Sequence, residues 1–109
     1  MAITGKKIIG YYLIDVDTNF TTFSLIQIRK EVDMGLESGS NHIVFDLSKC
    51  QHMDSSAIGL LGNLYKKFDS KKVKIGLLKP LPPILDLIAV THISTFVNIY
   101  KTEEEISLP

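Results

Sequence analysis

The sequence has one cysteine, no tryptophan and no excess of charge of either sign. A lone cysteine, Cys50, cannot form an internal disulfide, and this fits a reducing compartment. The 12 basic and 12 acidic residues balance, so the basic surface that nucleic-acid binding requires is not expected. The composition therefore favours a cytoplasmic protein with no nucleic-acid partner, stabilised by its hydrophobic core and not by cross-links.

Long apolar runs are also absent. No segment approaches the roughly 18 apolar residues that a membrane-spanning helix needs. The first apolar stretch is short and is followed at once by Asp15 and Asp17, unlike a secretory signal. Because 45% of the 109 residues are hydrophobic, one compact core can form. We expect a single soluble domain over residues 1–109, without direct membrane insertion.

Strand-like and helix-like segments alternate along the chain. The patterns predict a short first strand, a turn at 5–7, a strand over 8–16, a helix from about 21 to 37, a strand over 43–47, a helix over 55–68, a strand over 73–78, a helix opened by Pro80, Pro82 and Pro83, a strand over 96–100 and a last helical turn after 102. Such alternation implies parallel strands joined by crossovers. The predicted fold class is α/β, with a small mixed, mostly parallel β-sheet and helices packed mainly on one side.

Asp54, Ser55 and Ser56 lie between a buried strand's loop and the next helix. A helix start has free backbone N–H groups and a partial positive charge, so it tolerates a phosphoryl group. That group would add nearly two negative charges, enough to change a docking surface. Asp or Ser at this position is more commonly only a helix cap. Both roles can coexist, with Asp54 or Ser55 as the cap and Ser56 as the acceptor.

The helical phase of residues 55–68 predicts which side of this helix is exposed. At about 100° per residue, the core stripe consists of Ile58, Leu61, Tyr65 and Phe68. The other side carries Ser56, Gly59, Leu60, Asn63 and Lys67. This phase predicts that Ser56 faces outward and that Leu60 is partly exposed beside it. The sequence therefore indicates a partner-binding surface on this side of the helix.

Two segments of the chain resemble the signature of the STAS domain family, which includes the anti-sigma factor antagonists. They are residues 44–48, Val-Phe-Asp-Leu-Ser, and residues 53–59, Met-Asp-Ser-Ser-Ala-Ile-Gly. Weaker similarities follow in the same order: a first strand ending at Asp17, a strand over 73–78, and residues 91–105. Ala57 departs from the family, which often has glycine there. The resemblance covers nearly the whole chain and implies a single STAS domain over residues 1–109.

The resemblance also implies a function and its residues. Ser56 corresponds to the phosphorylated serine, with Ser55 as the second choice, while Asp54 and Asp17 correspond to acidic residues at the site. The unphosphorylated protein would bind an anti-sigma factor serine kinase, which phosphorylates it with ATP, and a phosphatase would reset it. The expected partner-binding set is Asp17, Asp54, Ser55, Ser56, Gly59, Leu60, Asn63 and Lys67. The protein would be a substrate and not an enzyme, and a monomer or weak dimer.

Other functions receive less support from the sequence. A STAS scaffold or accessory subunit, in a signalling complex or beside a lipid-transport ATPase, would use the same surface without phosphorylation. Cys50, His52 and His42 do not supply the three or four convergent ligands that a metal needs. Neither a Gly-x-Ser-x-Gly elbow nor a phosphate-binding loop occurs. We therefore expect no metal, no cofactor and no catalytic residue.

Overall fold

The structure, a computed structural model, describes residues 3–69 and 72–107. The strands are β1 Ile3–Ile8, β2 Tyr11–Val16, β3 His42–Asp46, β4 Lys74–Leu78 and β5 Asn98–Tyr100. The helices are α1 Leu25–Glu37, α2 Ser55–Asp69, α3 Pro82–Thr91 and α4 Glu103–Ser107, and short 3₁₀ turns cover Thr22–Ser24 and Ile93–Thr95. The predicted order of strands and helices is confirmed, and both β4 and β5 begin later than expected.

The five strands form one sheet in the order β1-β2-β3-β4-β5. β1 pairs antiparallel with β2, and every later pair is parallel. The predicted mixed, mostly parallel sheet is therefore confirmed. Because the loops after β2 and β3 leave from the same edge of the sheet, they can meet there.

The two faces of the sheet are covered unequally. Alternate strand residues point to opposite faces, so Phe45 packs with the main core while Val44 faces the other way. Helices α1, α2 and α3 contribute their buried side chains to the main core. The second face is covered by a smaller cluster that includes Ile106 of α4. The expectation of helices mainly on one side is confirmed, and α4 is the short last helix that the sequence predicted.

The predicted turn at residues 5–7 is wrong. β1 continues through these residues, and the chain reverses at Ile9 and Gly10, where Gly10 has a φ of +95°. Gly5 pairs with Ile14 inside the hairpin, and a Cβ there would meet the side chains of Tyr12 and Glu31. Gly5 therefore leaves room for the side chains of Tyr12 and Glu31. The local sequence cannot distinguish a glycine with this role from a glycine in a turn.

Helices α1 and α3 each bury one side against the core. Ile28 and Val32 of α1 are buried, as are Ile84 and Ile88 of α3. Pro82 and Pro83 stand in the first turn of α3, where proline removes no helical hydrogen bond. Within residues 3–69 and 72–107, none of the helices is long and apolar enough to cross a membrane.

Candidate functional site

Asp54 caps the amino terminus of α2. The Ala57 N–H donates to Asp54 Oδ1 at 3.1 Å, and the Ile58 N–H donates to the Asp54 carbonyl oxygen at 3.3 Å. A carboxylate at this position satisfies a backbone donor that has no partner inside the helix, and it favours the positive end of the helix. The capping role that the sequence allowed is therefore present in the structure.

A second segment of chain lies directly against this helix start. The Phe20 N–H donates to the His52 carbonyl oxygen at 2.9 Å, and the Asp54 N–H donates to the Phe20 carbonyl oxygen at 3.3 Å. These bonds surround a parallel bridge between Phe20 and Met53. They extend the pairing of β2 and β3 beyond the ends of both strands, so the residues after Phe20 are held beside the start of α2.

Thr22 joins the two segments through both its backbone and its side chain. Its N–H donates to Asp54 Oδ2 at 3.3 Å, and its Oγ1 is 2.7 Å from Ser56 Oγ. The two carboxylate oxygens of Asp54 therefore accept hydrogen bonds from the first turns of two different helical segments. Thr22 was not among the predicted site residues. The only signal for it was topological, since loops that follow neighbouring parallel strands meet at one edge.

The two candidate serines have different surroundings. Ser55 is the first residue of α2 and is exposed, whereas Ser56 is half-buried and hydrogen-bonded to Thr22. Both lie within the first turn of a 15-residue helix, where a negative group is electrostatically favourable. The arrangement can accept a phosphoryl group at a helix start, with the more open hydroxyl on Ser55.

The predicted phase of α2 is wrong at Leu60 and Tyr65, whereas Leu61 and Phe68 are buried and Ile58 packs against the core as expected. Leu60 is only 1% exposed and lies in the core, while Tyr65 is exposed and its ring lies 4.9 Å from that of Phe96. The buried set of α2 is Ala57, Leu60, Leu61, Leu64 and Phe68. The helix is rotated by about 60° from the expected phase, because it packs against α1 as well as the sheet. Leu60 is therefore not an exposed contact beside Ser56.

The other predicted partner-binding residues are accessible. Gly59, Asn63 and Lys67 are exposed on the same outward side of α2 as its first two serines. Asn63 and Lys67 also border a groove of about 170 Å³ between α1 and α2. Asp17 is exposed one residue beyond β2, three residues before Phe20. Of the predicted partner-binding residues, Leu60 is therefore buried, Asp54 and Ser56 are half-buried, and the others are exposed.

The cysteine near this site is a core residue. Cys50 is fully buried, and burial raises the pKa of its thiol, so it stays protonated at neutral pH. Its Sγ is 3.4 Å from the His52 carbonyl oxygen. Among the residues that the structure describes, no three His, Cys, Asp or Glu side chains are grouped as a metal site would require.

The family model of the STAS domain matches residues 3–106. The chain belongs to the STAS domain family. Among curated proteins, no match was found. The family assignment confirms the resemblance that residues 44–48 and 53–59 carry, and it covers all five strands of the sheet.

Several solved structures share the fold at low sequence identity. A candidate anti-sigma factor antagonist from Thermotoga maritima is 22% identical, with a TM-score of 0.85 over 96% of this chain and 91% of that one. An anti-sigma factor antagonist from Mycobacterium paratuberculosis is 16% identical, with a TM-score of 0.82 over 96% and 89%. The phosphorylated form of the Bacillus cell fate determinant SpoIIAA is 18% identical, with a TM-score of 0.72 over 97% of each chain. The structural neighbours of this STAS domain thus include anti-sigma factor antagonists.

Proposed function

We propose that this protein is an anti-sigma factor antagonist that binds an anti-sigma factor serine kinase and is switched by phosphorylation at the start of α2. The observation that carries the proposal is the placement of Asp54, Ser55 and Ser56 at a capped helix start within a STAS domain. The anti-sigma factor antagonists among its structural neighbours support the same role.

Exposure supports Ser55 as the phosphoryl acceptor ahead of Ser56, the reverse of the order expected from sequence. The preference for Ser56 came from its outward helical phase and from the STAS resemblance, and Leu60, which was expected to be exposed beside it, is buried. Ser56 Oγ is hydrogen-bonded to Thr22 Oγ1, whereas Ser55 is exposed. A kinase must bring ATP up to the hydroxyl, so the open side chain is the better substrate.

The chemistry assigns the protein the role of substrate. The serine hydroxyl attacks the γ-phosphorus of ATP in the kinase, loses its proton, and leaves ADP and a phosphoserine. A phosphatase then hydrolyses the phosphoserine to serine and inorganic phosphate.

The added charge explains how phosphorylation ends a complex. A phosphoserine carries nearly two negative charges at neutral pH. On Ser55 these charges would adjoin the Asp54 carboxylate, and the next turn of the helix on that side carries Gly59, which has no side chain. A kinase surface that fits small, neutral groups would not fit the bulkier phosphoserine. The phosphoserine would also be repelled by the like-charged phosphates of the ADP bound to the kinase. Docking of the phosphorylated protein is therefore weakened.

Mass spectrometry after incubation with ATP and each anti-sigma type serine kinase of the source organism tests the proposal. We expect one phosphate on the wild type, none on Ser55→Ala, and a retained phosphate on Ser56→Ala. Phosphate on Ser56 alone would show that Ser56, and not Ser55, is the acceptor. Absence of phosphate on both serines with every kinase would contradict the proposal, and unchanged partner binding by Ser55→Asp would favour a scaffold role.

A further inference from the structure

Two large apolar side chains are exposed at the start of α1, next to the proposed phosphorylation site. Phe23 is 99% exposed in the 3₁₀ turn that precedes α1, and Ile26 is 84% exposed in the first turn of the helix. They are three residues apart and therefore lie on one side of the helical segment. The opposite side of α1 supplies Ile28 and Val32 to the core. Phe23 and Ile26 thus bury little side-chain area in the fold, and we call this pair the α1 apolar pair.

The α1 apolar pair is continuous with the site at α2. Phe23 directly follows Thr22, which is bound to Asp54 through its N–H and to Ser56 through its hydroxyl. The backbone of Thr22 is therefore held by α2, and the position of Phe23 is held with it. A protein that docks at the first turn of α2 therefore meets the segment that carries Phe23.

The area that a stable complex needs favours the same surface. A specific interface buries about 800 Å² on each partner. The side chains at the start of α2 are small and polar, and they supply little of that area. A buried aromatic side chain contributes about 150–250 Å². Aromatic anchors near the centre of an interface carry a large part of its binding energy.

A depression beside Phe23 adds a concave part to this surface. It measures about 430 Å³, and its lining includes Phe23, Thr21, Gln27 and Ile3. All of its lining residues are uncharged. The partner therefore meets a projecting aromatic ring next to an uncharged hollow, a shape that accepts an apolar side chain in return.

We propose that Phe23 and Ile26 are the apolar anchor by which the anti-sigma factor kinase holds this protein, and that the kinase has an apolar pocket for Phe23 beside its ATP. The proposal rests on the proposed function, because it names the surface that the same partner uses. In this proposal the α1 apolar pair supplies affinity for the kinase, and phosphorylation at the start of α2 controls binding. Substitution of Phe23 therefore weakens docking of the unphosphorylated protein without removing the acceptor hydroxyl.

Calorimetric titration of the purified anti-sigma type kinases of the source organism, loaded with ADP, tests the anchor. Binding is measured for every kinase, whether or not it phosphorylates the protein. With the kinase that binds the wild type, we expect Phe23→Ala to raise the Kd about 30-fold and Ile26→Ala about 5-fold. The matched control is Ile9→Ala, a fully exposed apolar residue in the turn at the opposite end of the sheet, with a Kd within about twofold of the wild type.

The outcomes separate the anchor from the proposed function. If a kinase phosphorylates Ser55 but binds Phe23→Ala as tightly as the wild type, the anchor is wrong and the proposed function stands. If a kinase binds through Phe23 without transferring phosphate, the anchor stands and the phosphorylation is wrong. If no kinase binds the wild type, both are wrong. An unchanged thermal unfolding midpoint for each variant shows that the fold is intact.

Discussion

Replacement of Asp54 should destabilise the protein through two hydrogen bonds at once. Asp54 Oδ1 accepts the Ala57 N–H at 3.1 Å, and Asp54 Oδ2 accepts the Thr22 N–H at 3.3 Å. Loss of a helix cap to alanine costs about 1 kcal/mol. Loss of a second hydrogen bond to a charged acceptor costs about 1 kcal/mol more at this half-buried position. We therefore expect Asp54→Ala to lower the free energy of unfolding by about 2 kcal/mol.

An asparagine at the same position separates the two bonds. Asp54→Asn keeps one oxygen and replaces the other by an NH₂ group, which cannot accept a backbone N–H. Asparagine caps a helix about as well as aspartate, so Asp54→Asn should lose about 1 kcal/mol, half of the effect of alanine. Asp17→Ala is the control, since Asp17 is an exposed acidic residue nearby and its loss should change stability by less than about 0.5 kcal/mol.

Urea unfolding followed by circular dichroism measures these differences, provided that the slope of free energy against urea is the same in all four proteins. Equal losses for Asp54→Ala and Asp54→Asn would refute the separate use of the two carboxylate oxygens. A loss below about 0.5 kcal/mol for Asp54→Ala would refute the capping role itself.

Two further predictions concern residues in the core. Leu60→Ala should lower the free energy of unfolding by about 3 kcal/mol because it leaves a cavity, whereas Asn63→Ala on the outward side should change it by less than about 0.5 kcal/mol; similar small losses in urea unfolding would contradict the observed phase of α2. Burial, with a smaller contribution from Lys74, lowers the pKa of His42 below its ordinary value of 6.5. As the pH decreases, His42 is therefore protonated near pH 6.5 in the unfolded chain and only at lower pH in the folded protein. The free energy of unfolding should be constant above about pH 7 and fall as the pH decreases through 6.5. Unfolding free energies between pH 5 and 7.5 should show a smaller decrease for His42→Gln, and equal slopes would contradict this reasoning.

The apolar pattern of α2 predicts a helix but does not determine which side of it is buried. Apolar residues occupy seven of the twelve positions from 57 to 68, so more than one stripe along the helix is hydrophobic. A stripe through Tyr65 and a stripe through Leu64 fit the same letters. The structure buries the one through Leu64, because α2 contacts α1 and the sheet together. That choice depends on the position of another helix, which no local pattern contains.

Some residues of the site could be predicted from the sequence, and others are brought there only by the fold. The sequence motif predicted that Asp54, Ser55 and Ser56 begin a helix, because the capping chemistry lies within four residues of chain. Thr22 is 32 residues from Asp54 and 34 from Ser56, and it reaches them only because the loops after two parallel strands meet. The exposure of Ser55 and the engagement of Ser56 follow from that contact. The difference in exposure between the two serines was therefore beyond sequence analysis.

The sequence by itself determined the α/β architecture, the order of strands and helices, the family and the helix start that carries the two serines. These features depend on apolar periodicity, helix capping and a short sequence motif, all of which involve residues close together in the sequence. Only the tertiary structure decided which side of α2 is buried, where the first hairpin turns, which hydroxyl is open, and that Phe23 projects beside the site. Each of these depends on the packing of segments far apart in the chain, where burial of apolar surface and satisfaction of backbone donors override local preference.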